Sequence, residues 1–268
     1  MLSVQEFREK IYNYYREHKR DFVWRESFIP YHVVVSEIML QQTQTDRVKG
    51  KFVQFVGALP TFESLAQASV RDVIALWSGL GYNRRALALH KIAQLVVTEH
   101  NGILPQSPEI LCTLPGIGKN TAGSIAAFAF NMPTVFVETN IRAVYIHTFF
   151  PTRGDVKDIE LLPLITKTLD HANPRDWYYA LMDYGVMLKK NYKNPSRKSA
   201  HYTRQSKFEG SERQIRGMIL RALTQHPALT FEGLCMLIER EPARIQRNLS
   251  DVCLEGFVVE HNGIFSLK

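Results

Sequence analysis

Cysteine is scarce in this chain. There are three, Cys112, Cys235 and Cys253, too far apart to form a pair motif. That excludes both a disulfide framework and a four-cysteine metal site, and all three read as small buried hydrophobes. Long apolar runs are also missing. None approaches the roughly 18 residues that a membrane span requires. The amphipathic, acid-containing N-terminus does not read as a signal peptide, so a reducing, cytoplasmic setting is the expectation. Strand signals are few, with none convincing before residue 257. Acid is absent from one whole stretch. Between Tyr184 and Phe208 no Asp or Glu occurs, against seven Lys or Arg at 189, 190, 193, 197, 198, 204 and 207. Such a stretch is either a solvated linker or a segment that tracks phosphates, and the interleaved Tyr192 and Tyr202 favour nucleic-acid contact.

What the chain does contain is helix. Its 268 residues are 45% hydrophobic, enough for two domains and a small third, and the net charge of +7 favours a polyanionic partner. Ser3 and Glu6 form a capping box for a first helix carrying Phe7 and Ile11 on one face. Pro30 opens a helix through Val33–Gln42. Thr45-Asp46, Thr61, Ser69 and Asn83 are read as further N-caps, and amphipathic patterns recur at 155–170 and 175–190. Helical patterns at 211–226, 230–239 and 242–255 precede Phe257–Leu267, where Asn262-Gly263 marks a hairpin turn. Three helices and a terminal hairpin predict a winged-helix-like module over 209–268.

The centre of the chain is Leu114-Pro115-Gly116-Ile117-Gly118. A helical pattern beginning at Ser107-Pro108 precedes it, and Thr121–Phe130 follows. A tight helix–turn–helix whose second helix starts on glycine presents backbone amides to an anion. In a basic chain that anion is a nucleic-acid phosphate; the plain alternative is an ordinary helical hairpin. Two carboxylates interrupt apolar surroundings. Glu37 lies among Val33, Val34, Val35, Ile38, Met39 and Leu40, where burial would raise its pKa toward general acid–base use. The alternative is a half-exposed glutamate paired with a cation such as Arg25. Glu138, in Glu138-Thr139-Asn140, follows the extended Thr134–Val137; it or Thr139 either caps the next helix or supplies a second carboxylate. Two carboxylates serving one cleft suit cleavage of a glycosidic bond.

Together Leu114–Gly118, Thr121-Ala122-Gly123 and Glu138–Asn140 resemble the helix-hairpin-helix (HhH-GPD) superfamily of DNA base-excision glycosylases. Ser36–Gln44, Trp77–Tyr82 and Leu181–Gly185 resemble its adenine-specific, MutY-type branch. The resemblance runs over about residues 5–190. It implies that Glu37 protonates the departing purine and then activates water, and that Glu138 lies beside the sugar with Asn140 orienting it. Gln41, Gln42 and Tyr82 would wedge or fill the base stack. Leu114, Gly116, Gly118, Lys119, Asn120 and Thr121 would grip the DNA backbone, and Trp24, Arg25 and Asp183 would line the base pocket. Asn120 stands where strand-cleaving relatives carry a Schiff-base lysine, which implies a monofunctional enzyme.

Three departures accompany the resemblance. The four cysteines that hold an iron–sulfur cluster in the family are absent, so no cofactor and no metal are expected; Lys189 and the basic segment lie there instead. Glu138 replaces the family's usual Asp. The C-terminal third does not resemble the domain that reads 8-oxoguanine. The expectation is a mainly α protein with a two-lobed all-helical HhH-GPD core over 1–205. One lobe would span about 28–135, and the second would join 1–27 to 136–205. The winged-helix-like α+β module would complete it, with the basic segment ordered against that module. It would act as a monomer on duplex DNA carrying a mispaired adenine opposite G or 8-oxoguanine, without a membrane partner. A glycosylase for T or U opposite G, or a non-catalytic DNA-binding protein, are the alternatives; both carboxylates being intact argues against the second.

Overall fold

The computed structural model of the protein describes residues 2–203 and 207–268. Its helices in chain order are α1 (Val4–His18), α2 (Val23–Glu26), α3 (Pro30–Leu40), α4 (Thr45–Ala58), α5 (Phe62–Gln67), α6 (Val70–Trp77) and α7 (Arg84–Glu99). They continue as α8 (Pro108–Leu111), α9 (Lys119–Phe130), α10 (Thr139–Phe149), α11 (Asp158–Thr168), α12 (Pro174–Asn191), α13 (Glu212–Gln225), α14 (Phe231–Ile238) and α15 (Pro242–Leu254). Three short strands, β1 (Leu229–Thr230), β2 (Val258–His261) and β3 (Ile264–Leu267), form one antiparallel sheet in the order β1-β3-β2. The fold is mainly α with a small C-terminal sheet, as the sequence predicts.

The local signals explain most boundaries. Ser3 and Glu6 exchange the reciprocal bonds of a capping box. Thr61, Ser69 and Ser107 each accept an amide of the following first turn. Two expected caps differ. The residue before α4 is Gln44, so Thr45 already lies inside the helix, and Asn83 makes no side-chain cap bond because its own backbone is helical. The second helix of the hairpin starts at Lys119, two residues before the expected Thr121. The strand β1 was not expected; two residues carry no periodicity, and only their pairing of Leu229 with Phe265 reveals them. Asn262 and Gly263 both have positive φ, as the tight turn between β2 and β3 requires.

The chain divides into two units. The first comprises Met1–Val33 and Pro105–Arg204, the second Val34–Leu104 and Gln205–Lys268, so α3 runs across the division. These limits differ from the expected lobes. The hairpin segment belongs with the first unit because α9 packs on α12, with Phe128 stacked on Tyr179 at 4.6 Å. The core of that unit is aromatic: Phe7 meets Tyr145, Phe149 and Trp177 with ring centroids 5.3–5.8 Å apart. Residues 207–268 belong with the second unit because α13 packs on α6. They have the helix, strand, helix, helix, hairpin order of a winged helix. Its core is Ile215, Ile219, Leu223, Leu234, Leu249 and Phe257, all buried.

The basic segment takes its order from its own unit. Pro195–Lys198 forms a 3₁₀ turn packed on α10, with Pro195 and Ser196 buried. Val156 pairs with Ser199, donating to Lys198 O and accepting from Ala200 N, each at 3.0 Å. Arg204 lies outside the described residues. No helix among the described residues is long and apolar enough to cross a membrane.

Candidate nucleic-acid interface

In the first unit, the hairpin is anchored from below and open above. Leu111, Leu114 and Ile117 are buried, whereas Gly116, Gly118, Lys119 and Asn120 are exposed. Gly116 has φ +77°, a conformation that favours glycine; Gly118 is extended, and nothing stands where its Cβ would be. Gly118 is the N-cap of α9 and, being glycine, offers no side chain to cap its first turn. Thr121 is half-buried at the same end.

Asn120 turns away from that surface in one respect. Its Oδ1 accepts the N–H of Val137 at 3.0 Å, fixing the extended strand-like run immediately before Glu138. Glu138 is then the N-cap of α10. Its Oε1 accepts Asn140 N at 2.6 Å and Ile141 N at 2.9 Å, and its Oε2 accepts Asn140 Nδ2 at 3.1 Å. Burial pushes the Glu138 carboxyl above its ordinary range; the amides and the Lys189 ammonium oppose this without reversing it. Burial likewise lowers Lys189, despite the nearby carboxylate. Asn140 Oδ1 is buried without a partner, so one acceptor is left over beside this carboxylate. Glycine makes the arrangement fit: a Cβ on Gly185 of α12 would stand 2.5 Å from Asn140 O.

Arg25 and Asp183, expected to line a base pocket, are joined to each other. Arg25 Nη1 and Nη2 donate to Asp183 Oδ2 and Oδ1, both at 2.9 Å. Arg20, which the sequence reading missed, adds its backbone N at 3.0 Å and Nε at 2.7 Å. The Asp183 side chain is 1% exposed, so its carboxylate serves to hold α2 and the segment before it on α12. Trp24 is buried and stacked on Phe22 at 4.7 Å.

In the second unit, Glu37 lies half-buried on α3 with Val34, Val35, Ser36, Ile38 and Met39 buried around it. The end of this helix is closed by Arg85, another residue the sequence reading passed over. Its guanidinium donates to Ile38 O at 2.8 Å, Met39 O at 2.9 Å, Gln41 O at 2.5 Å and Thr43 Oγ1 at 2.9 Å. It also reaches Gly81 O at 3.2 Å and lies over the Tyr82 ring at 5.4 Å. Burial pushes Arg85 down to about 10. One cation thus ties the Gln41–Gln42 corner to the Tyr82 loop. Both Gln42, exposed, and Tyr82, half-buried, have positive φ, near +50°. The available sequence signal for Arg85 was its place three residues after Tyr82, in the glycine-containing Gly79–Asn83 loop.

This helical arrangement, with a glycine hairpin ahead of a helix-capping carboxylate, defines the helix-hairpin-helix class. Residues 35–162 match the family model described as HhH-GPD superfamily base excision DNA repair protein, and the chain belongs to that superfamily. It is similar to the adenine DNA glycosylase of Mycobacterium tuberculosis (strain ATCC 25618 / H37Rv), 42% identical over 132 residues, covering 49% of this chain and 43% of that one. It is similar along nearly its whole length to the adenine DNA glycosylase of Mycolicibacterium smegmatis, 28% identical over 280 residues, covering 96% of this chain and 94% of that one. The chain thus spans less than half of the first relative's length. Among solved structures, a thermostable thymine-DNA glycosylase superposes with a TM-score of 0.63 at 23% identity, over 72% of this chain and 90% of that one.

Proposed function

We propose that this protein is a monofunctional DNA glycosylase that hydrolyses the N-glycosidic bond of a mispaired adenine opposite G or 8-oxoguanine. The observation that carries the reading is the Glu138 carboxylate, held by three N–H donors at the start of α10. Fixed donors keep a carboxylate oriented toward a developing positive charge without reorganisation during reaction. In the reaction, Glu37 donates its proton to the purine as the C1′–N9 bond breaks. Glu138 faces the oxocarbenium-like sugar. Glu37, now ionised, takes a proton from water as the water oxygen bonds to C1′, and Glu37 is restored. Asn120 has no amine, which supports water rather than a side chain as nucleophile.

The site is proposed to be reached by flipping the base from the duplex, with Gln41, Gln42 and Tyr82 occupying the stack and Gly116, Gly118, Lys119, Asn120 and Thr121 on the backbone; Leu114, expected there too, is buried beneath the turn. The similarity to adenine DNA glycosylases supports adenine as the base. The protein is proposed to act as a monomer, in the compartment that holds the DNA.

We propose further that it works without an iron–sulfur cluster. Cys112 lies in one unit and Cys235 and Cys253 in the other, and no group of three or more His, Cys, Asp or Glu among the described residues could hold a metal. This donor set does not fit a four-thiolate cluster. The test of the function is a panel of duplexes carrying A, T, U or hypoxanthine opposite G or 8-oxoguanine, treated with alkali after incubation. Alkali-labile sites at A support the reading; labile sites confined to T or U reassign the substrate.

A further inference from the structure

The C-terminal module reaches the Tyr82 loop directly. Arg213, on α13, donates from Nη1 to Tyr82 Oη at 3.0 Å, and its guanidinium lies 5.9 Å from the ring centroid. Tyr82 therefore has a cation near it from two sides, Arg85 of α7 and Arg213 of α13. The loop that bears it needs such support. Its glycines Gly79 and Gly81, just before Tyr82, have φ +94° and +74°, and Tyr82 itself has φ +48°. A non-glycine residue in that region persists only when its surroundings determine it.

The module is fastened at positions flanking this contact. Glu255, after α15, accepts Arg84 Nη2 at 2.6 Å and Arg216 Nη1 at 2.9 Å, and Arg71 of α6 donates to Pro227 O at 3.0 Å. Its charge does not mark it as a DNA reader. Residues 207–268 contain eight Lys or Arg and eight Asp or Glu, so the +7 excess of the chain lies entirely outside them. Phosphate attraction, which dominates duplex affinity, has no net source here.

We infer that the winged-helix-like module is a positioning element for Tyr82, with Arg213 holding the ring in the orientation from which it enters the base stack. This rests on the reading of Tyr82 as a stack-entering residue. Ordering the ring before encounter removes the cost of ordering it on binding, so it strengthens engagement of a mispair specifically. Arg213 acts through Tyr82 and is a positioning residue.

The test is a double-mutant cycle of Arg213→Met and Tyr82→Phe in the full chain. It reads the ratio of mispair to homoduplex affinity and the rise in fluorescence of 2-aminopurine placed next to the mispair. Arg213→Met is expected to lower mispair affinity about ten-fold, leave homoduplex affinity unchanged and blunt the fluorescence rise. Tyr82→Phe does the same, the double variant is no worse than either single one, and Arg213→Lys restores most of the effect. Arg221→Ala, exposed on the same helix, serves as the control, and thermal unfolding verifies that each variant folds. Additive losses, an unchanged affinity ratio, or an equal fall on all duplexes with a flatter salt dependence would each overturn the inference; the last would mean that Arg213 meets phosphate itself. A wild-type protein that neither discriminates mispairs nor excises a base refutes the proposed function instead, and that failure is visible without any variant.

Discussion

Asn120 Oδ1 accepts the backbone N–H of Val137, the residue directly before Glu138, at 3.0 Å. The side chain at the start of the hairpin's second helix therefore sets the position of the carboxylate at the start of the next helix. Replacing it by Ala leaves the amide of buried Val137 without this acceptor, at a cost of about 1 kcal/mol. Asn120→Ala is expected to slow single-turnover excision about five-fold, by that free energy, with duplex affinity little changed. Asn120→Asp, which keeps the acceptor, should recover much of the rate. Borohydride should trap no covalent complex with DNA in either variant or in the wild type; efficient trapping would identify an amine nucleophile, Lys119 first.

The Glu138 and Lys189 pair predicts a pH dependence. Burial raises Glu138 and the Lys189 ammonium opposes the rise. If excision needs Glu138 ionised, the rate falls on the acid side at a pH above that of an ordinary carboxylate. Lys189→Met removes the charge that favours the ionised form, so the acid limb should move to still higher pH. A limb that stays in place, or moves down, would remove Glu138 from the rate-determining ionisation.

Glu255 predicts the opposite sign in stability. Its hydrogen bonds to Arg84 and Arg216 pull its carboxyl from 4.5 to about 2. A depressed folded-state value stabilises above the unfolded value and is lost as pH falls through the folded one. The second unit should therefore lose about 2 kcal/mol, allowing for the exposure of Arg84, between roughly pH 4.5 and 2. Glu255→Gln should flatten that acid transition in thermal unfolding.

Much of this was legible in the sequence. The capping residues Ser3, Thr61, Ser69 and Ser107 and the Asn262-Gly263 turn act through local bonds within a few residues, and local chemistry is what a sequence displays. Glu37 and Glu138 stood out because a carboxylate is conspicuous among apolar residues. Glu138 then proved to cap α10, one of the two roles its sequence allowed. Arg85, Arg20 and Arg213 were not legible. Each acts on groups far away in sequence, Arg20 on Asp183 and Arg213 on Tyr82, and an arginine in a basic chain carries no mark of its partner. Two close approaches were hidden for a related reason: the packing of Gly123 against Phe136 and of Gly185 against Asn140 depends on small residues, and a sequence does not show what a missing side chain admits.

The basic segment gives a salt-dependence prediction. Lys190, Lys193 and Arg197 are exposed, whereas Lys198 Nζ is bonded to Pro151 O at 2.5 Å. Replacing the three exposed cations by Ala should weaken binding to all duplexes alike. It should also lower the slope of log affinity against log salt by about 0.9 for each phosphate no longer neutralised. Preference among mispairs should remain, because phosphate contacts position while base contacts specify. An unchanged slope would make the segment a linker. Purified protein should contain no stoichiometric iron; an absorbance band near 400 nm of the kind iron–sulfur proteins show would contradict the cluster-free reading.

The central claim is that Glu37 is the acid that releases a mispaired adenine, and it is tested most directly by single-turnover excision with Glu37→Gln. The substrate is a duplex with A opposite 8-oxoguanine or G, with enzyme in excess and alkali added at each time point. The expected result is wild-type conversion of the adenine strand to alkali-labile product. The variant should bind the same duplex with near-normal affinity and be slowed by about 10²–10⁴-fold, the range of general acid–base groups. A variant rate close to wild type, or a wild-type strand that stays intact after alkali, would contradict the account.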